Sequence, residues 1–456
     1  MTTLFFCIAA FVIAWMAASR SLRLGLLAVL AVGYVYGILR ANFPDTYTYL
    51  TFDAAVLGLY GAQLWRPLTA EQRIRVHDLR LWMLVLIGWP TLLFFMFPGD
   101  APLVELVGLR ANIFLLPFLL LGTRLTSEDV AWLAGSIAWL NLAVVAVGVV
   151  EFFFGIELFY PRNEVTDLIY KSKDLVGRTA HRIPATFSSA HAFAGTLVMT
   201  LPLLIGAWVQ DNAERWKHRM LGLAIMASLL GVFMAAARTH MITAALLVIV
   251  VTFSGGLRRN QWIRWAVVVA MVGYIVSGEE RLQRFTTLQD TEFISERWTG
   301  SVNEGFFELV RAYPLGNGLA GGGTSVPYFL RGHAAQSVAG LENEYARIGL
   351  EQGLPGLTLW LLFVLWALTR LPGRLQDEWL LGRRLAWICC GTVFFSGLTG
   401  VGLLSSVPQT ALMLMMMGWF VVARSPRREI VSRPRTVPDS SEQAMPAEVA
   451  RLNPQA

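Results

Sequence analysis

Charge is scarce in this sequence. Only 15% of its 456 residues are Asp, Glu, Lys or Arg against 55% hydrophobic, and mean hydropathy is +0.54. A water-soluble chain has no use for the apolar runs of roughly 18 to 25 residues that recur here, so the soluble classes are excluded. Cysteine is scarce too. Cys7, Cys389 and Cys390 all fall inside apolar stretches, pointing to neither a disulfide framework nor a metal site. His181, His191 and His333 match no zinc spacing. There is no aspartate pair of the kind that holds a divalent ion in sugar-nucleotide enzymes. A basic stretch and small-residue cleavage site are missing near the N-terminus, so no cleaved signal peptide is expected. Nothing points to a nucleic-acid partner.

What is present is a series of apolar segments, at roughly 3–19, 22–39, 48–65, 80–97, 103–123, 130–154, 187–209, 219–236, 239–255, 262–277, 343–369, 385–404 and 406–423. Lipid demands that each segment satisfy its own backbone, so they predict an all-α, polytopic transmembrane bundle of 12 or 13 spans. The count is open because 103–123 carries Glu105 and Arg110, and because the first two stretches could form a shallow hairpin. Arginine gathers in alternate connections, at Arg20 and Arg23, Arg66 to Arg80, Arg124, Arg215 to Arg219, Arg258 to Arg264, and Arg370 to Arg384, which places those loops in the cytoplasm. The expected organisation is therefore N-terminal transmembrane helices over 1–154, central ones over 155–277 with an outer loop at 156–186, a large outer loop at 278–341, C-terminal helices over 342–423, and a disordered cytoplasmic tail over 424–456.

The remaining polar groups stand out against this background. In "ENEYARIGLEQGLPGL", residues 342–357, Glu344, Arg347 and Glu351 are spaced by three and four and share one helix face. One reading is a self-neutralising ladder that only holds this helix to its neighbours; the other is a functional charge cluster. Glu342, off that face, is the freer group. Arg238, in "AAARTHMITAALL", sits between two apolar spans with almost no loop. A guanidinium there costs about 2.5 kcal/mol or more unless something anionic compensates it. The alternatives are snorkelling to lipid phosphate and function, and Thr239 and His240 add hydrogen-bonding capacity that snorkelling does not need. Over 298–310, Trp298, Val302, Phe306, Leu309 and Val310 predict an amphipathic surface helix. "GNGLAG", 316–321, matches G-x-G-x-x-G literally, but no strand precedes it and no nucleotide-binding helix follows. It is read as a tight turn, or as a turn whose N–H groups approach an anion.

Taken in order, "HRIPATFSSAHAFAGTLVMTLPLL", "AAARTHMITAALL", "ERWTGSVNEGFFELVRAYPLGNGLAGG" and "ENEYARIGLEQGLPGL" resemble the O-antigen ligase and polymerase family of bacterial envelope proteins, over roughly 180–370. The resemblance implies a GT-C-like glycosyltransferase of the inner membrane with a large periplasmic loop. It also implies an inverting transfer from a glycan on undecaprenyl pyrophosphate to a glycan or lipid acceptor, with no metal or other cofactor. Partners would be the lipid bilayer and the chain-length regulator and flippase of the same pathway. The arginines that hold the pyrophosphate in such enzymes correspond to Arg238 and Arg297. Arg182, His240, Arg311, His333, Asn343 and Glu344 complete the expected substrate-binding set. Where the ligase pattern has histidine before asparagine, this chain has Glu342 before Asn343. A glutamate can accept the acceptor's proton, so the departure favours polymerase over ligase. The rivals are a transporter of lipid-linked oligosaccharide, an inactive scaffold, and a protein O-glycosylating relative.

Overall fold

A computed structural model describes residues 2–67, 73, 76–97, 102–161, 171–173, 179–210, 215–254, 306–321, 343–373, 377–400 and 402–422. The chain divides into a unit over Met1–Arg424 and a second over Ser425–Ala456, which lies outside the described residues. Among the described residues the regular structure of the first unit is helical except for a short antiparallel pair, β1 (Lys171–Lys173) and β2 (Thr179–His181), in the register Lys171 to His181. Its helices are α1 (Thr2–Arg20), α2 (Leu22–Asn42), α3 (Thr46–Gln63), α4 (His77–Met96), α5 (Pro102–Ile113), α6 (Phe118–Thr123), α7 (Ser127–Phe154), α8 (Ala190–Val209), α9 (Arg215–Met234), α10 (Arg238–Phe253), α11 (Phe306–Ala312), α12 (Glu344–Leu368), α13 (Leu380–Ser396) and α14 (Gln409–Val422).

Among the described residues there are 8 helical segments long and apolar enough to cross a membrane, with α5 and α6 counted as one. The helices α10 and α14 are apolar but shorter. Both α1 and α2 are long enough to cross singly, so the shallow-hairpin alternative is not needed. The expected span at 262–277 lies outside the described residues.

Helices in lipid gain nothing from hiding apolar surface from one another, so close packing of small residues selects their partners. Ala10, Ala14 and Ala18 form a buried stripe on α1. Gly58 of α3 lies so close to this helix that a Cβ would meet the Phe11 carbonyl. Between α6 and α14 the arrangement is reciprocal: a Cβ on Gly122 would strike the Met415 carbonyl, and one on Gly418 the Leu119 carbonyl. The most enclosed long helix is α8, with 89% of its apolar window buried, against 22% for α4 at the periphery. Polar groups add specific ties. Asn141 of α7 accepts from the Tyr34 hydroxyl at 2.6 Å and donates to Thr200 at 2.8 Å and Ser228 at 2.9 Å, joining α2, α7, α8 and α9. Arg110, which cast doubt on the span at 103–123, finds a bidentate partner in Asp53 of α3.

The fold departs from the sequence reading at two connected places. Instead of one straight helix, 343–369 kinks at Gly353, whose backbone takes φ 71°, ψ −174°, with Pro355 two residues on. The glycine-dense turn docks into this kink: Asn317 N–H donates to the Leu350 carbonyl at 2.7 Å, and Leu354 N–H to the Pro314 carbonyl at 2.9 Å. Carbonyls and amides released by the kink are thereby satisfied within the protein, as lipid requires. A Cβ on Gly353 would collide with the Pro314–Leu315 backbone, so both its dihedral angles and its neighbours require glycine. "GNGLAG" is thus a packing turn against α12 and Gly108 of α5. The second departure is in the next span: the stretch expected at 385–404 is helical only to Ser396, and a non-helical connection leads to α14.

Candidate functional site

Two polar assemblies occupy the end of the bundle where α8, α10, α12 and α14 begin. The first is the expected ladder. Arg347 donates to Glu344 Oε1 from Nη2 at 2.6 Å and Nε at 3.1 Å, and to Glu351 Oε2 from Nη1 at 2.5 Å. All three side chains are essentially inaccessible, at 0% for Glu344, 1% for Arg347 and 0% for Glu351. Asn112 of α5 completes the cluster, donating to Glu351 Oε2 at 2.9 Å while its carbonyl accepts from Arg347 and from Gln352 Nε2. The second oxygen of Glu344 accepts the Gly402 N–H at 2.8 Å. Asn343 caps α12, its Oδ1 accepting from the Tyr345 and Ala346 amides at 2.9 and 3.3 Å. This geometry favours the self-neutralising reading of the ladder.

The second assembly runs across the starts of three helices. Arg182 Nη1 lies 3.0 Å from His191 Nε2 in the first turn of α8. Because a guanidinium only donates, that ring nitrogen accepts, which fixes His191 as the neutral tautomer with its proton on Nδ1. The His191 and His240 rings are 6.0 Å apart between centroids. His240 Nε2 lies 3.4 Å from Gln409 Nε2, the first residue of α14, and the Ser406 hydroxyl donates to Gln409 Oε1 at 3.2 Å. Gly195 leaves the space the Gln409 amide occupies. The amide donates to His240, leaving the proton on His240 Nδ1, which is buried and has no partner among the described residues. Arg238 shares the first turn of α10 with His240 and is half-buried. The turn before it passes through Ala236 at φ 51°, a left-handed conformation that alanine adopts only under constraint.

The segment carrying Arg182 is held from several sides. Ala185, at φ 49°, donates its N–H to Glu151 Oε2 at 2.8 Å. Tyr160 reaches the Ala185 and Phe187 carbonyls at 2.6 and 2.9 Å. Ile38 N–H donates to the Thr186 carbonyl at 3.2 Å. Ser189 then caps α8 through the Ala192 amide. Each helix start exposes unpaired N–H groups and a partial positive charge. Ala237 supplies no side-chain cap to α10. Guanidinium, imidazole and amide groups beside helix starts are the groups that suit an anion.

Of the expected residues, the structure brings Arg182 and His240 into one chain with Arg238 beside them. Asn343 and Glu344 belong to the ladder instead. Arg311 is exposed on α11. Glu342, Arg297 and His333 lie outside the described residues. Sequence reasoning missed Gln409 and gave no role to His191 or Glu151. Glu151 had a visible signal, since it is a carboxylate near the end of an apolar span, 2% exposed. Gln409 had none beyond being polar after a proline.

No protein-family model and no curated protein matches this chain. The functional reading therefore rests on the motifs and on the chemistry of this site.

Proposed function

We propose that the chain is a glycosyltransferase that polymerises oligosaccharide repeats carried on undecaprenyl pyrophosphate, working at the periplasmic face of a bacterial inner membrane. The observation that carries the reading is the connected chain Arg182–His191–His240–Gln409 across three helix starts, with Arg238 in the same turn as His240. A polyprenyl diphosphate needs apolar walls for its tail and a concentration of donors at headgroup depth, and guanidinium groups bind phosphate oxygens as forks. In this reading Arg238 and Arg297 hold the diphosphate and stabilise its charge as it leaves. The acceptor hydroxyl attacks the anomeric carbon as the bond from that carbon to the phosphate oxygen breaks. Glu342 takes the hydroxyl proton, and the products are a lengthened glycan and undecaprenyl pyrophosphate. Glutamate in place of the ligase histidine favours polymerisation over transfer to a lipid A core.

The test is reconstitution of the purified full-length protein in liposomes with an undecaprenyl-pyrophosphate-linked repeat. Products of two or more repeats and stoichiometric release of undecaprenyl pyrophosphate are expected. Arg238→Ala is expected to lower the rate by at least about a hundredfold while the protein remains folded. Movement of intact substrate across the bilayer without bond formation would make the chain a transporter. Single-repeat transfer to a core acceptor would make it a ligase.

A further inference from the structure

The opposite end of the same helices holds a cavity with two arginines that the proposed transfer does not use. At the diphosphate end α7 finishes beside Ala185 and α14 starts at Gln409; at the other end α7 starts and α14 finishes. There a cavity of about 270 Å³ opens between Thr123, Arg124, Thr126, Ser127, Arg383 and Val422. Among the described residues no carboxylate lines it.

The two arginines are held in place differently: Arg383 Nη1 donates to the Trp419 carbonyl at 3.3 Å, whereas Arg124 keeps a nitrogen without a hydrogen bond. Arg124 Nη1 donates to the Gln63 carbonyl at 2.7 Å, a neutral acceptor, and its buried Nε has no partner among the described residues. No carboxylate pairs with Arg124 among those residues. Burial, and then the nearby positive charge of Arg66, push its pKa down, the direction that a bound anion would reverse. Arg66 is itself tied to a backbone carbonyl, that of Ser19, at 2.7 Å. Arg383 is braced over the Trp419 ring at 5.0 Å from its centroid, with Asp377 3.0 Å from Nε. Of the acids near the cavity, Asp129 is occupied in the Thr126 capping box, 4.0 Å from Arg23, and Glu128 points outward. Arg124, with no carboxylate partner among the described residues, therefore meets in one cavity Arg383, whose Nε is shared with Asp377.

We infer that this cavity binds a phosphate group between Arg124 and Arg383, either the headgroup of an anionic phospholipid or free phosphate. Val76, Leu125 and Val422 give the cavity apolar walls beside the two arginines, and basic pockets between transmembrane helices suit anionic headgroups. The site is independent of the glycan-transfer reading, because its residues touch none of the diphosphate-end groups.

The experiment is native mass spectrometry of the full-length protein titrated with dioleoylphosphatidylglycerol, with dioleoylphosphatidylcholine and inorganic phosphate as separate arms. Saturable phosphatidylglycerol binding is expected, weakened at least about fivefold by Arg124→Gln and by Arg383→Gln, and unaltered by Arg20→Gln. Arg124→Lys, which keeps the charge but loses the fork, should fall between wild type and Arg124→Gln, and it serves if the glutamine variant does not fold. Displacement of phosphatidylglycerol by millimolar phosphate, with the same dependence on Arg124, would support the site with free phosphate as its ligand. Equal binding of phosphatidylcholine, or undiminished phosphatidylglycerol binding in both glutamine variants, would overturn it.

Discussion

The Glu344–Arg347–Glu351 ladder and the Arg182–His191–His240–Gln409 chain stand at the same end of one apolar bundle, and both put polar atoms where lipid should be. In the ladder, Arg347 bonds both carboxylates and Asn112 fills in behind them. In the chain the contacts are fewer, and His240 Nδ1 has no partner among the described residues. The difference is one of charge composition. A cluster in which a buried guanidinium bridges two carboxylates neutralises itself and ties its neighbours together. A cluster built from guanidinium, imidazole and amide groups with no carboxylate of its own suits an anion under the proposed reading.

The largest test of this contrast is Arg347→Ala. It strands two buried carboxylates, and stability should fall by about 3–5 kcal/mol, read as lost accumulation in the membrane and a lower melting midpoint. An unchanged midpoint would remove the ladder from the framework of the fold. Next comes Glu151→Ala, which removes the acceptor for the strained Ala185 amide and should cost about 1–3 kcal/mol. By loosening Arg182 it should also raise the substrate concentration for half-maximal transfer by about tenfold or more. Glu151→Gln keeps an acceptor and should restore both, whereas equal damage from both variants would require the carboxyl itself. The smallest structural effect is expected from Gln409→Ala: no more than about 1 kcal/mol of stability, because the lost contact is long. Transfer should nevertheless fall. Should Gln409→Ala destabilise the protein as much as Arg347→Ala, the two assemblies would be of one kind.

Much of the ladder was legible in sequence, because spacings of three and four put residues on one face of a helix whatever surrounds it. Arg238 was legible as an isolated cation between apolar spans. What remained hidden depends on partners far along the chain. Asn112 joins the ladder from α5, and nothing in "LRANIF" announces it. The docking of Pro314–Asn317 into the Gly353 kink turns a phosphate-loop look-alike into a packing element. Gln409 becomes part of the site only because Gly195 on another helix leaves room for it.

By itself, then, the sequence determined that this protein is a membrane-embedded helical bundle with a few charges to account for. Apolar length and backbone self-satisfaction are properties of each segment alone. Tertiary structure alone decided which of those charges meet one another inside the bundle, because that depends on the side chains and carbonyls that distant helices bring within about 3 Å of one another.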